Sequence, residues 1–205
     1  MMSTIIAAKT LKQLIEETRL LVGDLSDVSN TWSEEDVIAA VNYAVQSYCR
    51  LTGCNYIEES KTLTSGKTEP ISDYLMIERC KYNGNVLLIT SKQDEEIKNP
   101  SWESKTGTPL RWMIYDGKTI RVVPSTSGTL TVGFVKQPAL MSALTDTVDS
   151  SIPFPHHIFL KYAAASWLMM IDGDKQDFQE SAMMMQVFAQ GIGIAPAPQR
   201  QEGKE

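Results

Sequence analysis

"IPFPHHIFLKYAAASWLMMID", residues 152–172, predicts a helix with apolar side chains on nearly every side. Pro153 and Pro155 set its entry, because proline presets φ for a first helical turn and lacks an N–H that would go unpaired there. Past the two histidines, Lys161 and Ser166 are the exceptions to the apolar cover. Such a helix needs other elements on all its sides, which makes it the central helix of a bundle. Its most apolar run, Tyr162 to Ile171, is about half the roughly 20 residues that span a bilayer. A buried helix is therefore expected, with no membrane association.

The flanking sequence supplies the partners. Gly173 breaks the central helix, and Asp174 can cap the next, which contains "DFQESAMMMQVFAQ", residues 177–190. At about 100° per residue, Phe178, Ala182, Met185 and Ala189 share one face, Met184 and Phe188 a second, and Met183 and Val187 a third. One face can meet the chain's own core. The others are covered either by further elements of this chain or by a neighbouring subunit.

Near the N-terminus, Thr10 caps "LKQLIEETRLLVGD", whose Leu11, Leu14, Ile15, Leu21 and Val22 form a helical face closed by Gly23. In "TWSEEDVIAAVNYAVQSYCRLTG", Ser33 caps a second helix and Glu34, Glu35 and Asp36 fill its positive first turn. Val37, Val41, Ala44 and Tyr48 line one side, Ile38 and Val45 flank it, and Gly53 ends it.

From Tyr56 the pattern turns to strands. "YIEESKTLT" suits a strand, and Asn83-Gly84 and Asp116-Gly117 each stand between two strand-like runs. These dipeptides signal two-residue hairpins, since both central positions of a type I′ turn need positive φ. "GTLTVGFVKQP" adds a further strand, and "SKQDEEI" is either a short helix or a crossing loop. The fold class expected is α+β: a helical bundle with an inserted antiparallel β module. Residues 1–55 give its N-terminal helices, 56–149 the β-rich module, 150–190 its C-terminal helices and 191–205 an extended tail.

Composition and motifs exclude most chemistry. A net charge of −6 and a pI near 5.0 argue against a surface built to grip phosphates. Cys49, Cys54 and Cys80 form neither an even disulfide set nor paired metal hooks, and read as reduced thiols. The N-terminus lacks the basic and apolar regions of a secretory signal. "TSGKT", Thr64 to Thr68, has Lys61 where a phosphate loop needs glycine and Glu69-Pro70 where it needs a helix, so a strand-connecting turn is expected. "DGDKQDFQE" fails as a calcium loop at Asp177 and Met183. His156 and His157 are adjacent and cannot form an i, i+4 metal pair, and no nucleophile elbow accompanies them.

The whole-chain pattern is more specific. Trp32, Ser33, Asp36 and Asn42 open a helix, "IRVVP" and then Lys136-Gln137-Pro138 end strands, and an aliphatic-Pro step leads into the Ala-rich helix. Over residues 11–190 this arrangement resembles the head-to-tail adaptor (connector) proteins of tailed bacteriophages. The resemblance implies a structural virion protein that catalyses nothing and needs no cofactor or metal. It implies a ring, in that family usually of about twelve copies, between the portal protein and the tail or nozzle protein, with DNA passing through without specific binding. In such a ring Met183, Met184, Val187 and Phe188 can be buried between subunits, the alternative being cover within one subunit. The tail, with Ile192, Ile194, Pro196, Pro198 and Arg200, is either a portal-binding segment or disordered. The alternatives to an adaptor are another phage tail-completion ring protein, or a small hydrolase using His157 with a loop carboxylate.

Overall fold

The computed structural model describes residues 8–24, 31–172 and 175–194. The chain forms two compact units, Met1–Thr52 with Pro138–Glu205, and Gly53–Gln137. The first is helical and the second carries the sheet.

In the helical unit α1 (Leu11–Leu21) starts with a reciprocal cap: the Gln13 N–H donates to Thr10 Oγ1 at 3.3 Å and the Thr10 N–H to Gln13 Oε1 at 3.0 Å. Its other early donors are met by a segment distant in sequence, Leu11 N–H reaching Asp146 O at 2.8 Å and Lys12 N–H reaching Leu144 O at 3.1 Å. The helix start is thus satisfied by protein backbone rather than by water. At its other end the Asp24 carboxylate, almost fully buried, takes the Arg19 guanidinium and the Thr31 N–H, while Arg19 also donates to Trp32 O at 3.1 Å.

Helix α2 (Glu34–Thr52) has a second reciprocal cap: the Asp36 N–H donates to Ser33 Oγ at 3.1 Å and the Ser33 N–H to Asp36 Oδ2 at 3.2 Å. Val37, Ala40, Val41, Ala44, Val45 and Tyr48 form its buried face. Asn42 stands beside that face and acts like a strand residue. Its Nδ2 donates to Met141 O and its Oδ1 accepts from Met141 N, both at 2.9 Å. Residues 138–149, assigned from sequence to the end of the β module, therefore hydrogen-bond to α1 and α2.

The chain enters the central helix through a 3-10 turn, Phe154–Phe159, before α4 (Leu160–Asp172) begins. The expected single helix from Pro155 is thus wound more tightly at its start. In that turn both histidines are engaged: His157 Nδ1 accepts from Lys9 N–H at 3.3 Å, its Nε2 lies 3.0 Å from Ile152 O, and His156 Nδ1 lies 2.5 Å from Tyr48 Oη. Leu160, Ala163, Ala164, Ala165 and Leu168 of α4 are buried, with α1, α2 and α5 (Lys175–Gly191) packed around them. The two polar exceptions are matched, Lys161 by Glu17 at 3.6 Å and Ser166 by Ser181 Oγ at 2.9 Å. Helix α5 ends in a Schellman turn: Ile194 N–H donates to Ala189 O, Gly193 N–H to Gln190 O, and Gly193 sits at φ 79°. The expected cap Asp174 lies outside the described residues.

The sheet unit has eight strands: β1 (Tyr56–Thr64), β2 (Lys67–Thr68), β3 (Tyr74–Tyr82), β4 (Asn85–Val86), β5 (Leu88–Ile89), β6 (Arg111–Ile114), β7 (Ile120–Val123) and β8 (Gly128–Lys136). Their spatial order is β4-β3-β8-β1-β2-β7-β6-β5. The two edge strands are separated by Leu87 alone, whose N–H bonds Cys80 O in β3 while the next N–H, of Leu88, bonds Leu110 O before β6. That one residue brings opposite edges together and makes the sheet nearly a barrel. Leu63, Cys80, Trp112, Val122, Leu130 and Phe134 fill a shared core inside it.

Asn83 (φ 48°) and Gly84 (φ 81°) make the expected hairpin turn, and "TSGKT" is another, with Ser65 at φ 51° and Gly66 at φ 80°. Asp116-Gly117 differs. Tyr115 N–H pairs with Thr119 O at 2.8 Å, leaving Asp116, Gly117 and Lys118 between them, and of these only Gly117 has positive φ. The Asp116 carboxylate accepts the Thr119 N–H at 2.9 Å and holds this longer loop. "SKQDEEI" forms a short helix, α3 (Lys92–Lys98), capped by Ser91. Its Glu95 is buried against Arg111 with contacts of 2.6 and 2.9 Å.

On the outer sheet face, Gly133 pairs with both Glu58 and Arg79 across neighbouring strands. A side chain there would meet the Tyr56 hydroxyl, so Tyr56 can cross over it. Tyr56, Arg79 and Lys81 converge on the Glu58 carboxylate, and their hydrogen bonds, that of Lys81 first, hold it at about 2.

Three outcomes are expected. Asn42→Ala leaves the Met141 N–H and C=O without partners and should cost about 1–3 kcal/mol in denaturant titration; an unchanged midpoint would show that the clamp contributes nothing. Gly133→Ala should displace Tyr56 and cost about 1–3 kcal/mol by overpacking, whereas the same change at open Gly84 should be governed by φ alone. For His157, burial is the largest cause of a pKa below the ordinary 6.5, against the opposing pull of Ile152 O. The unfolded chain then takes up the proton first as pH falls, so this stability is complete above about 6.5 and declines below it. The difference in unfolding free energy between wild type and His157→Gln should accordingly shrink from pH 7 to pH 5, as read by melts across that range.

Candidate interaction surfaces

No cluster of three or more His, Cys, Asp or Glu side chains is placed to hold a metal among the described residues. His157 is 2% exposed, and backbone groups at Lys9 and Ile152 occupy its two ring nitrogens. It is a structural side chain holding the start of the central helix, with no position from which to act as a base on a substrate. Cys49 and Cys80 are buried thiols in no disulfide, and burial pushes Cys80 well up from the ordinary thiol value. Among the described residues no helix is long and apolar enough to cross a membrane.

What the fold does present is apolar surface. Helix α5 turns Ser181 and Phe188 into the core, with Met184 and Met185 half-buried beside them. Its inner face is thus the one with Met184 and Phe188. Phe178 (51% exposed), Met183 (65%) and Val187 (39%) lie outward. The four residues expected at a subunit interface therefore divide: Phe188, at 0% exposure, belongs to its own chain's core, while Met183 and Val187 are open. The tail residues divide too. Ile192 is buried at 7% exposure, Ile194 closes the Schellman turn, and Pro196, Pro198 and Arg200 lie outside the described residues.

A second surface escaped the sequence reading. The outward side of α2 and the segment held by Asn42 enclose a groove of about 460 Å³, lined by Glu35, Ile38, Ala39, Tyr43, Gln46 and Leu140, with Asn42 and Ser142 at its wall. Tyr43 leans on Trp167 with ring centroids 5.9 Å apart, and Leu140 is largely exposed. The available signal was the apolar series Ile38, Ala39, Tyr43 beside the core-facing series of the same helix. In the sheet unit, Val86, Leu88, Ile89 and Leu110 form an exposed aliphatic group at the seam of the barrel.

These surfaces are apolar and open, and comparison with known proteins supplies the family. No curated protein matches the chain. The family model described as SU10 adaptor protein matches residues 9–204, both units included. Matched over nearly its whole length, the chain belongs to the SU10 adaptor protein family, as a structural adaptor and not an enzyme.

Proposed function

We propose that this adaptor closes into a ring of about twelve copies, seated on the portal protein at the neck of a phage virion and joined on its far side to a tail or nozzle protein. DNA passes through the central channel without specific binding. The observation that carries the reading is α5, which its own chain holds on one side only while Phe178, Met183 and Val187 stand exposed on the other. In a ring every subunit has a neighbour on each flank, so a helix with a core face and an open apolar face is used on both. Full burial of such side chains is worth at most about 1.5–3 kcal/mol each, and flexible methionine adapts to a surface met during assembly. The charge of −6 suits a channel along which like-charged DNA slides unheld.

The segment after Ile194 is the part proposed to reach the portal, through Pro196, Pro198 and Arg200. Ile192 is excluded from that role by its place in the core.

Sedimentation of the purified protein, alone and with the portal ring of the same phage, tests this reading. Stoichiometric loading of the portal is expected, and removal of residues 195–205 should abolish loading while leaving the melting temperature unchanged. A wild-type chain that stays monomeric and ignores the portal would overturn it.

A further inference from the structure

The α2 groove and the open face of α5 match each other in three respects. The first is length. From Glu35 to Gln46 the groove follows α2 for about 16 Å, and the α5 strip from Phe178 to Gln190 runs about 18 Å at 1.5 Å per residue. The second is chemistry. The groove offers Ile38, Ala39, Tyr43 and Leu140 with Gln46 among them, and the strip offers Met183 and Val187 with Gln186 and Gln190 among them. Both surfaces are thus apolar with amide groups interspersed.

The third is charge. The chain carries −6, so two copies repel unless they meet where ionised groups are few. Glu35, at one end, is the only ionisable side chain lining the groove apart from the Tyr43 phenol. Glu180 is the only one on α5 between Phe178 and Gln190, and it is half-buried. On both surfaces, then, a neutral patch coincides with exposed apolar side chains on a protein of net negative charge.

We infer that the α2 groove is the receptor for the outward face of α5 from a second copy of this chain. Within one chain α2 and α5 pack on α4 without substantial contact with each other, so the two patches occupy different flanks of the helical unit. A contact between unlike patches is heterologous. Each copy gives a helix to one neighbour and a groove to the other, and the series ends by closing into a ring. The inference rests on the ring reading above and assigns its two contact faces.

Complementary variants test it. Ala39→Arg fills the groove, Met183→Asp charges the helix, and both positions are exposed, so each variant should melt as wild type does. Where wild type associates in solution, each variant alone should sediment as a monomer, its association weakened roughly tenfold or more. An equimolar mixture should form a particle of two copies and nothing larger, since one intact groove and one intact helix remain. A mixture that stays monomeric, or variants that still associate, would overturn the groove assignment and leave the ring reading standing. Where wild type assembles only on the portal, the double variant Ala39→Cys, Met183→Cys should give an oxidised ladder of multiples there and each single variant none. Absence of the ladder on a loaded portal overturns the assignment, and absence of loading by wild type removes the ring reading with it.

Discussion

The helical unit depends on covering α4 from every side. Ala163, Ala164, Ala165 and Leu168 leave no face of that helix content in water, so one layer of helices cannot satisfy it. The alanines and Ser166 admit close neighbours, and the two polar side chains on its surface are both paired: Ser166 with Ser181 in a hydrogen bond, Lys161 with Glu17 in a looser ion pair. Gly191 is confined for the same reason, since a side chain there would run into Phe159. The two helices before the β insertion and the one after the central helix thus converge on a single element, although residues 53–137 separate them in the sequence.

Two smaller constraints complete the architecture. Residues 138–149 supply backbone carbonyls to the free N–H groups of α1 and take the Asn42 amide in exchange, so three stretches far apart in sequence fix one another. In the sheet unit the corresponding role falls to Leu87. By bonding β3 while its successor bonds toward β6, it closes a sheet whose edges would otherwise offer unpaired strands for aggregation.

Those long-range constraints mark where sequence reading stops. Caps at Thr10 and Ser33, the Asn83-Gly84 turn and the helical periodicities were legible because each is settled within about four residues. The strand-like run that follows Asn83-Gly84 is in fact two short strands, β4 and β5. It crosses the seam, and Leu88 and Ile89 pair in parallel with β6, a register that no local pattern encodes. Asp116-Gly117 signalled a turn, but its loop length is set by the Asp116 bond to the Thr119 N–H. Periodicity separated three faces of α5 but could not say which one the core would take. Asn42 stood out in the pattern without its role, since Met141 lies 99 positions away.

The division of α5 bears on how an adaptor assembles. Phe188, Ser181 and the Schellman turn at Gly193 fix the helix against its own chain before any neighbour arrives. Met183 and Val187 are then presented on an element already fixed, and in the ring proposed above binding would order only their side chains, at low entropic cost. Had Phe188 faced outward with them, the same apolar surface would have made the free subunit prone to indiscriminate association. Withdrawing the largest side chain into the core leaves a modest, nearly uncharged strip outside, and in the ring proposed above each subunit would use two such contacts, so that closure adds to the strength of each one.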